Sequence, residues 1–224
     1  MYKYLIYCCL TLMSIPAHSQ VGIKAVNTWP QNRIAEANSS NKLFPTLVGV
    51  GIDYWFRLRQ YRLEFLPAIH AQYAHENVIL NNEKVGKLNW TVFEFVPVLQ
   101  FYPFDFKNDC MCPTFSKQGQ FFKKGFFINV APGIALSNLT NSSQHDANQQ
   151  PLKASQWVPF IRAGLGIDLG VSDLLTFSPS INYQLAHTLD WSAIFSSTSS
   201  NEINIYTGLF FNARLGWRFD RKNY

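Results

Sequence analysis

Charge is scarce in this chain. Asp, Glu, Lys and Arg make up 15% of its 224 residues, where a soluble domain typically carries about a quarter. The charge that is present does not cluster. No dense block of Lys or Arg occurs, so the net charge of +5 is no argument for nucleic acid, and none is expected as a partner. Long apolar runs are missing too. Beyond the leader, no stretch approaches ~20 apolar residues without a charge or a proline, which excludes a membrane-spanning helix there. Helical periodicity is scarce. Cysteine is limited to four residues, and two of them, Cys8 and Cys9, lie in the apolar leader. That excludes a disulfide framework. No cofactor or metal site is expected.

The leader reads as a secretory signal. Lys3 supplies the positive charge, Tyr4–Ile15 a short apolar core, and Ala17-His18-Ser19 a small-x-small cleavage site. Cleavage removes residues 1–19 and leaves 20–224 as one domain. Cys8 and Cys9 sit inside the apolar core and do not follow a cleavage site, which argues against a lipoprotein.

What the chain has in abundance is period-two alternation. Eight strands are predicted, at 21–28, 46–57, 61–74, 88–102, 125–137, 157–171, 174–187 and 203–219. Most exceed the ~9–11 residues a tilted strand needs to cross a bilayer. Connections 57–61 and 171–173 read as tight turns. Stretches 29–45, 75–87, 138–156 and 188–202 are rich in Asn, Ser and Gln and read as long loops. Counted along the chain, the long loops fall on one side and the tight turns on the other. An even strand number with that asymmetry is the outer-membrane barrel pattern. The connection 103–124 departs from it, being long yet on the short-turn side.

The two faces of each strand decide which side is inside. In 46–57, Val48, Val50, Ile52, Tyr54 and Phe56 oppose Gly49, Gly51, Asp53, Trp55 and Arg57. In 157–171, Pro159, Ile161, Ala163, Leu165, Ile167 and Leu169 oppose Arg162, Gly164, Gly166, Asp168 and Gly170. A soluble barrel needs a bulky, lysine-rich polar face to meet water. Here the polar face mixes glycine with isolated charges, which suits the narrow lumen of an eight-stranded barrel. The fold expected is therefore all-β, an eight-stranded antiparallel up-and-down transmembrane β-barrel. Trp29, Trp90, Trp157 and Trp191 on the loop side, with Tyr102, Trp217 and Phe219 on the other, are expected to form interfacial girdles.

On these residues the chain resembles the small outer-membrane barrels of the OmpA/OmpX type. It looks most like the PorT-like outer-membrane barrels of Bacteroidota, on GIKAV after Gln20, the E-F-x-P strands at 64–67 and 94–97, and the aromatic last strand GLFFNARLGWRF. The resemblance implies outer-membrane localisation, lipid as the surrounding partner, and a structural role or an accessory one in a secretion apparatus. Barrels of this type often end on an aromatic residue. Phe219 fits that place, although DRKNY follows it.

Several constellations could carry chemistry. Lys24, Asp53, Arg57, Glu64, His70, Glu94, Arg162, Asp168, Arg214 and Arg218 share the lumen parity. Opposite charges there should pair, because isolated buried charge is costly. The expected result is a structural ion-pair network, and the excess of basic groups leaves room for water or an anion. A lipid-modifying enzyme would need a Ser–His–carboxylate set within hydrogen-bond reach. His70 and Glu64 lie about 20 Å apart along their strand, although Glu94 on the next strand can approach His70. No catalytic residue is expected, and no enzyme. The other alternative is a soluble lipocalin-like carrier.

Cys110 and Cys112 stand in the anomalous connection. A strained and reducible disulfide, a metal site with Asp109 and a plain loop clip are the three readings of that pair. An exported chain meets an oxidising compartment, which favours pairing. Beside them, Phe115, Lys117, Phe121, Phe122, Lys123 and Lys124 make a basic, aromatic segment suited to the membrane surface or to a periplasmic or secretion-system protein. Finally, Pro67 and Pro97 sit in otherwise good strands. Proline has no ladder donor, so bulges or local breaks are predicted at both.

Overall fold

The computed structural model describes residues 20–31, 46–58, 63–80, 83–104, 125–143, 152–172, 174–187 and 205–218. The leader, the Cys110/Cys112 pair and the basic, aromatic segment lie outside the described residues, as do Trp191 and Phe219. The described chain is strand from end to end: β1 (Gln20–Pro30), β2 (Leu47–Leu58), β3 (Leu63–Leu80), β4 (Glu83–Phe101), β5 (Phe126–Ser143), β6 (Leu152–Ile167), β7 (Leu169–Gly170), β8 (Leu175–His187) and β9 (Ile205–Arg218). Strand β7 continues β6 past Asp168, so the wall has eight crossings.

Each crossing pairs antiparallel with its sequence neighbours, and one further pairing, of the first crossing with the last, closes the ring. Strand β1 pairs with β9 over its whole length, and β6 with β8. The barrel is therefore closed and has no free edge. In hydrocarbon that is a requirement, because an unpaired backbone N–H or C=O there has no water to bond.

The side chains are turned inside out relative to a soluble barrel. Ile23 is 54% exposed, Val50 64% and Ile52 59%, whereas Asp53 is 4% and Arg162 2%. Along one row of the wall the register places Leu215, Ile23, Ile52, Ile69, Phe95 and Ile134 side by side on the outer face. An apolar row around the outside is the wall that lipid requires.

Two of the loops read from the sequence are not loops. Strands β3 and β4 run on to Leu80 and Glu83, which face each other across a short connection, with one register shift at Val78/Ile79. Strands β5 and β6 pair as far as Asn141↔Leu152. Both hairpins thus extend through much of 75–87 and 138–156. Their Asn, Ser, Thr and Lys residues suppress the apolar alternation that marks a membrane strand, yet the backbone ladder needs no apolar side chains.

The prolines produce breaks but no bulges. An antiparallel strand sends its N–H groups alternately to its two neighbours. Pro67 stands opposite Pro97 in an unbroken β3–β4 ladder, so that pair is non-hydrogen-bonded and both missing donors point outward to the next strands. The gaps lie there. Between β2 and β3 the pairing stops at Asp53↔Ala68 and resumes at Phe56↔Phe65 in the same register. Between β4 and β5 it stops at Phe95↔Ile134 and resumes at Leu99↔Val130, a gap that Pro97 shares with Pro132. A third gap, between β6 and β8, sits beside Pro179 and gives way to the β7 pairing.

Candidate functional site

The lumen is the place where polar groups converge, and glycine makes it possible. Gly22 stands between Asp53 of β2 and Gly216 of β9 in the register. A Cβ on Gly22 would lie 2.6 Å from Arg214 Nε and 2.7 Å from the Asp53 carboxylate. The glycines of the inner face are thus the floor over which charged side chains cross.

Three layers follow the barrel axis. The middle layer holds two ion-pair groups. Asp53 accepts from Arg214 Nε at 2.8 Å and Nη2 at 2.8 Å, and lies 3.3 Å from Lys24 Nζ. Glu94 accepts from Arg162 Nη2 at 2.6 Å and meets His70 Nδ1 at 3.1 Å. Arg162 also donates its Nε–H to Gln184 at 2.7 Å. Its guanidinium lies 3.7 Å from the Phe210 ring centroid and 4.4 Å from that of Phe160, so stacking fixes its plane.

At the turn-side end, the Tyr102 hydroxyl lies 2.7 Å from Glu64 Oε2 and 2.6 Å from Asp168 Oδ2. Ser178 donates to the other Asp168 oxygen. The backbone N–H of Asp168 leaves the β6 ladder and bonds the carbonyl of Gly125 at 2.9 Å.

The loop-side layer is apolar. Leu47, Ala74, Leu88, Trp90, Leu139 and Val158 form the centre of a buried cluster inside the barrel. Polar contacts within this layer are local: Thr28 Oγ1 donates to Gln72 Oε1 at 2.7 Å, and Trp90 Nε1 to Ser137 Oγ at 2.7 Å.

These positions can be set against the sequence reading. Lys24, Asp53, Glu64, His70, Glu94, Arg162, Asp168 and Arg214 are buried in the lumen. The strands carry Arg57 opposite Glu64 and Arg218 opposite Gln20, and the side chains of both arginines lie outside the described residues. Two girdle assignments are corrected. Trp90 and Tyr102 are 3% exposed and point inward, whereas Trp29, Trp157 and Trp217 are exposed on the outer face. The parity of β4 carried the signal: 90, 94, 100 and 102 are all even, and Glu94 faces the lumen. The apolar loop-side layer was not predicted: it is built at the loop-side ends of the strands, where apolar residues such as Leu88, Trp90 and Leu139 stand on the lumen face.

No protein-family model matches the chain, and no curated protein matches it. Solved structures do. The chain is similar to Ail, the attachment invasion locus protein of Yersinia pestis, solved in complex with the heparin analogue sucrose octasulfate. The identity is 10%, the match covers 90% of this chain and 97% of that one, and the TM-score is 0.52. It is also similar to the Neisserial surface protein A, at 10% identity, 91% and 98% coverage and a TM-score of 0.48. OprG from Pseudomonas aeruginosa matches at 11% identity, 91% and 96% coverage and a TM-score of 0.44. Identities this low speak to the fold alone, and the Ail match carries that point. Closed ladder, outward apolar face and filled lumen agree with it: the chain is a closed, eight-stranded, all-antiparallel β-barrel with the fold of outer-membrane proteins.

Proposed function

We propose that this protein is a non-enzymatic barrel of the Gram-negative outer membrane, serving as structural support or as an accessory part of an envelope or secretion assembly. The observation that carries the reading is the inversion of the wall: apolar side chains outside, ion pairs and a packed core inside. A soluble carrier requires the opposite arrangement. The filled lumen supports a structural role over a conducting one. Among the described residues, His70 is the one imidazole within reach of a buried carboxylate, and at 2% exposure no lipid headgroup can reach it. Among the described residues no serine hydroxyl bonds to it.

Fractionation tests the first part. The protein should sediment with outer membranes, resist extraction by carbonate, and migrate differently on a gel before and after boiling. Recovery in the soluble periplasm without detergent sinks the proposal. The accessory part rests on the 103–124 connection, with its Phe121, Phe122, Lys123 and Lys124. A photo-crosslinker at position 122 should capture a periplasmic protein, and capture of lipid alone would leave the barrel with a purely structural role.

A further inference from the structure

Between the middle layer and the Tyr102 layer lies a cavity of about 30 Å³, lined among others by Lys24, Arg162, Arg214, Asn129, Asn212 and Ser180. One water needs roughly 10–15 Å³ by the same measure, so the space takes two small species. Among the described residues, three basic side chains and no carboxylate line it; the carboxylates bonded to the three are two, and Asp168 and Glu64 stand beyond them in the turn-side layer. Asp53 serves both Lys24 and Arg214, and Glu94 serves Arg162.

The residues that carry unpartnered polar atoms line the same place. Among the described residues, the buried side-chain atoms without a hydrogen-bond partner are His70 Nε2, Asn129 Oδ1, Arg162 Nη1 and Asn212 Oδ1. All four belong to residues that line this cavity. Buried polar groups are rarely left unbonded, and four such residues around one space point to a ligand there.

We propose that the cavity binds one small inorganic anion of halide size, with a water beside it. Arg162 Nη1 donates to the anion, and Lys24 and Arg214 add charge. The asparagines serve too. Asn212 Nδ2 lies 3.3 Å from Ser180 Oγ. Turning the amide over lets the Ser180 hydroxyl donate to Oδ1 and aims the NH₂ group into the cavity, because the two ends of an amide are nearly isosteric. The three basic side chains exclude a metal cation. This site is independent of any accessory role of the barrel.

The test uses the full barrel, purified from membranes in mild detergent, with chloride as the probe. Thermal unfolding is followed in sodium chloride and in sodium gluconate at equal ionic strength. Once the site fills, the midpoint should rise by about 3 °C per tenfold increase in chloride, and gluconate should give no such rise. Asn212→Asp places a carboxylate in the wall. It should raise the midpoint in gluconate and abolish the response to chloride. If that variant does not fold, Asn129→Asp serves the same purpose. Crystals grown in bromide should show an anomalous peak beside Arg162. Equal midpoints in both salts, a chloride response that survives the carboxylate, or a lumen without a bromide peak would each overturn the proposal and leave water only.

Discussion

Asp53 answers two cations at once, and its neighbours cannot replace it. Its carboxyl group is buried against Arg214 and Lys24, so Asp53→Asn leaves both cations without a formal counter-charge. Removing one partner of a buried pair typically costs about 3–5 kcal/mol, because a charge stays buried alone. We predict that Asp53→Asn lowers the unfolding free energy by that amount, read from the urea dependence of the boiled-to-unboiled gel shift. A triple variant, Lys24→Met with Asp53→Leu and Arg214→Met, should regain most of the loss, since well-packed apolar groups can replace a buried triad. A triple variant as unstable as Asp53→Asn would show that the triad itself, and not the orphaned charge, sets the stability. At this scale parity made most of the lumen legible: Asp53, Glu94 and Arg162 each follow from alternation alone. Tyr102 was not, because an aromatic residue at a strand end is read as a girdle unless its parity is followed. The partner of each charge was not legible either. Glu94 lies 68 positions from Arg162, and only the closed ring brings them together.

Each strand carries its own record of where the ladder fails. Strand existence was legible, because each of the eight crossings carries a stretch of apolar alternation. The loop-side ends of β3, β4, β5 and β6 were not, because residues such as Glu76, Asn77, Lys84, Lys87, Asn141 and Lys153 interrupt the alternation there. The proline positions were legible as breaks, yet their side of the strand depends on which neighbour each N–H would have met, and that is a property of the pairing. This leads to a prediction. Ala at position 97 has an N–H that points to β5 and can donate to the carbonyl of Pro132, across the gap between Phe95↔Ile134 and Leu99↔Val130. In Pro97→Ala, the new amide should be protected from hydrogen exchange like its strand neighbours. The variant should also be stabilised by about 1 kcal/mol, the net worth of an ordinary hydrogen bond. An amide at 97 that exchanges as fast as a loop amide would mean that the gap reflects strand separation and not a missing donor.

For the whole molecule, the decisive quantity is which face meets which solvent. The closed ladder removes every edge, the lumen is filled by ion pairs and an apolar cluster, and the outer face is an unbroken apolar row. Ile52 sits within that row, flanked in the register by Ile23 and Ile69 and 59% exposed. If lipid surrounds the wall, Ile52→Arg puts a cation on the lipid face of a β-barrel. Such substitutions cost about 2–4 kcal/mol near the bilayer midplane and fall towards zero near the interfaces. If water surrounds it, the same change replaces an exposed apolar side chain with a soluble one and should be neutral or helpful. The two solvents therefore predict opposite signs for one substitution. We expect Ile52→Arg to lower the unfolding free energy in phospholipid vesicles by about 2–4 kcal/mol and to reduce the fraction that inserts. Trp157→Arg, on an exposed residue nearer the loop-side end, should cost less. A graded cost from Ile52 to Trp157 maps the bilayer onto the wall, and equal costs at the two positions would place the apolar row against something other than a membrane.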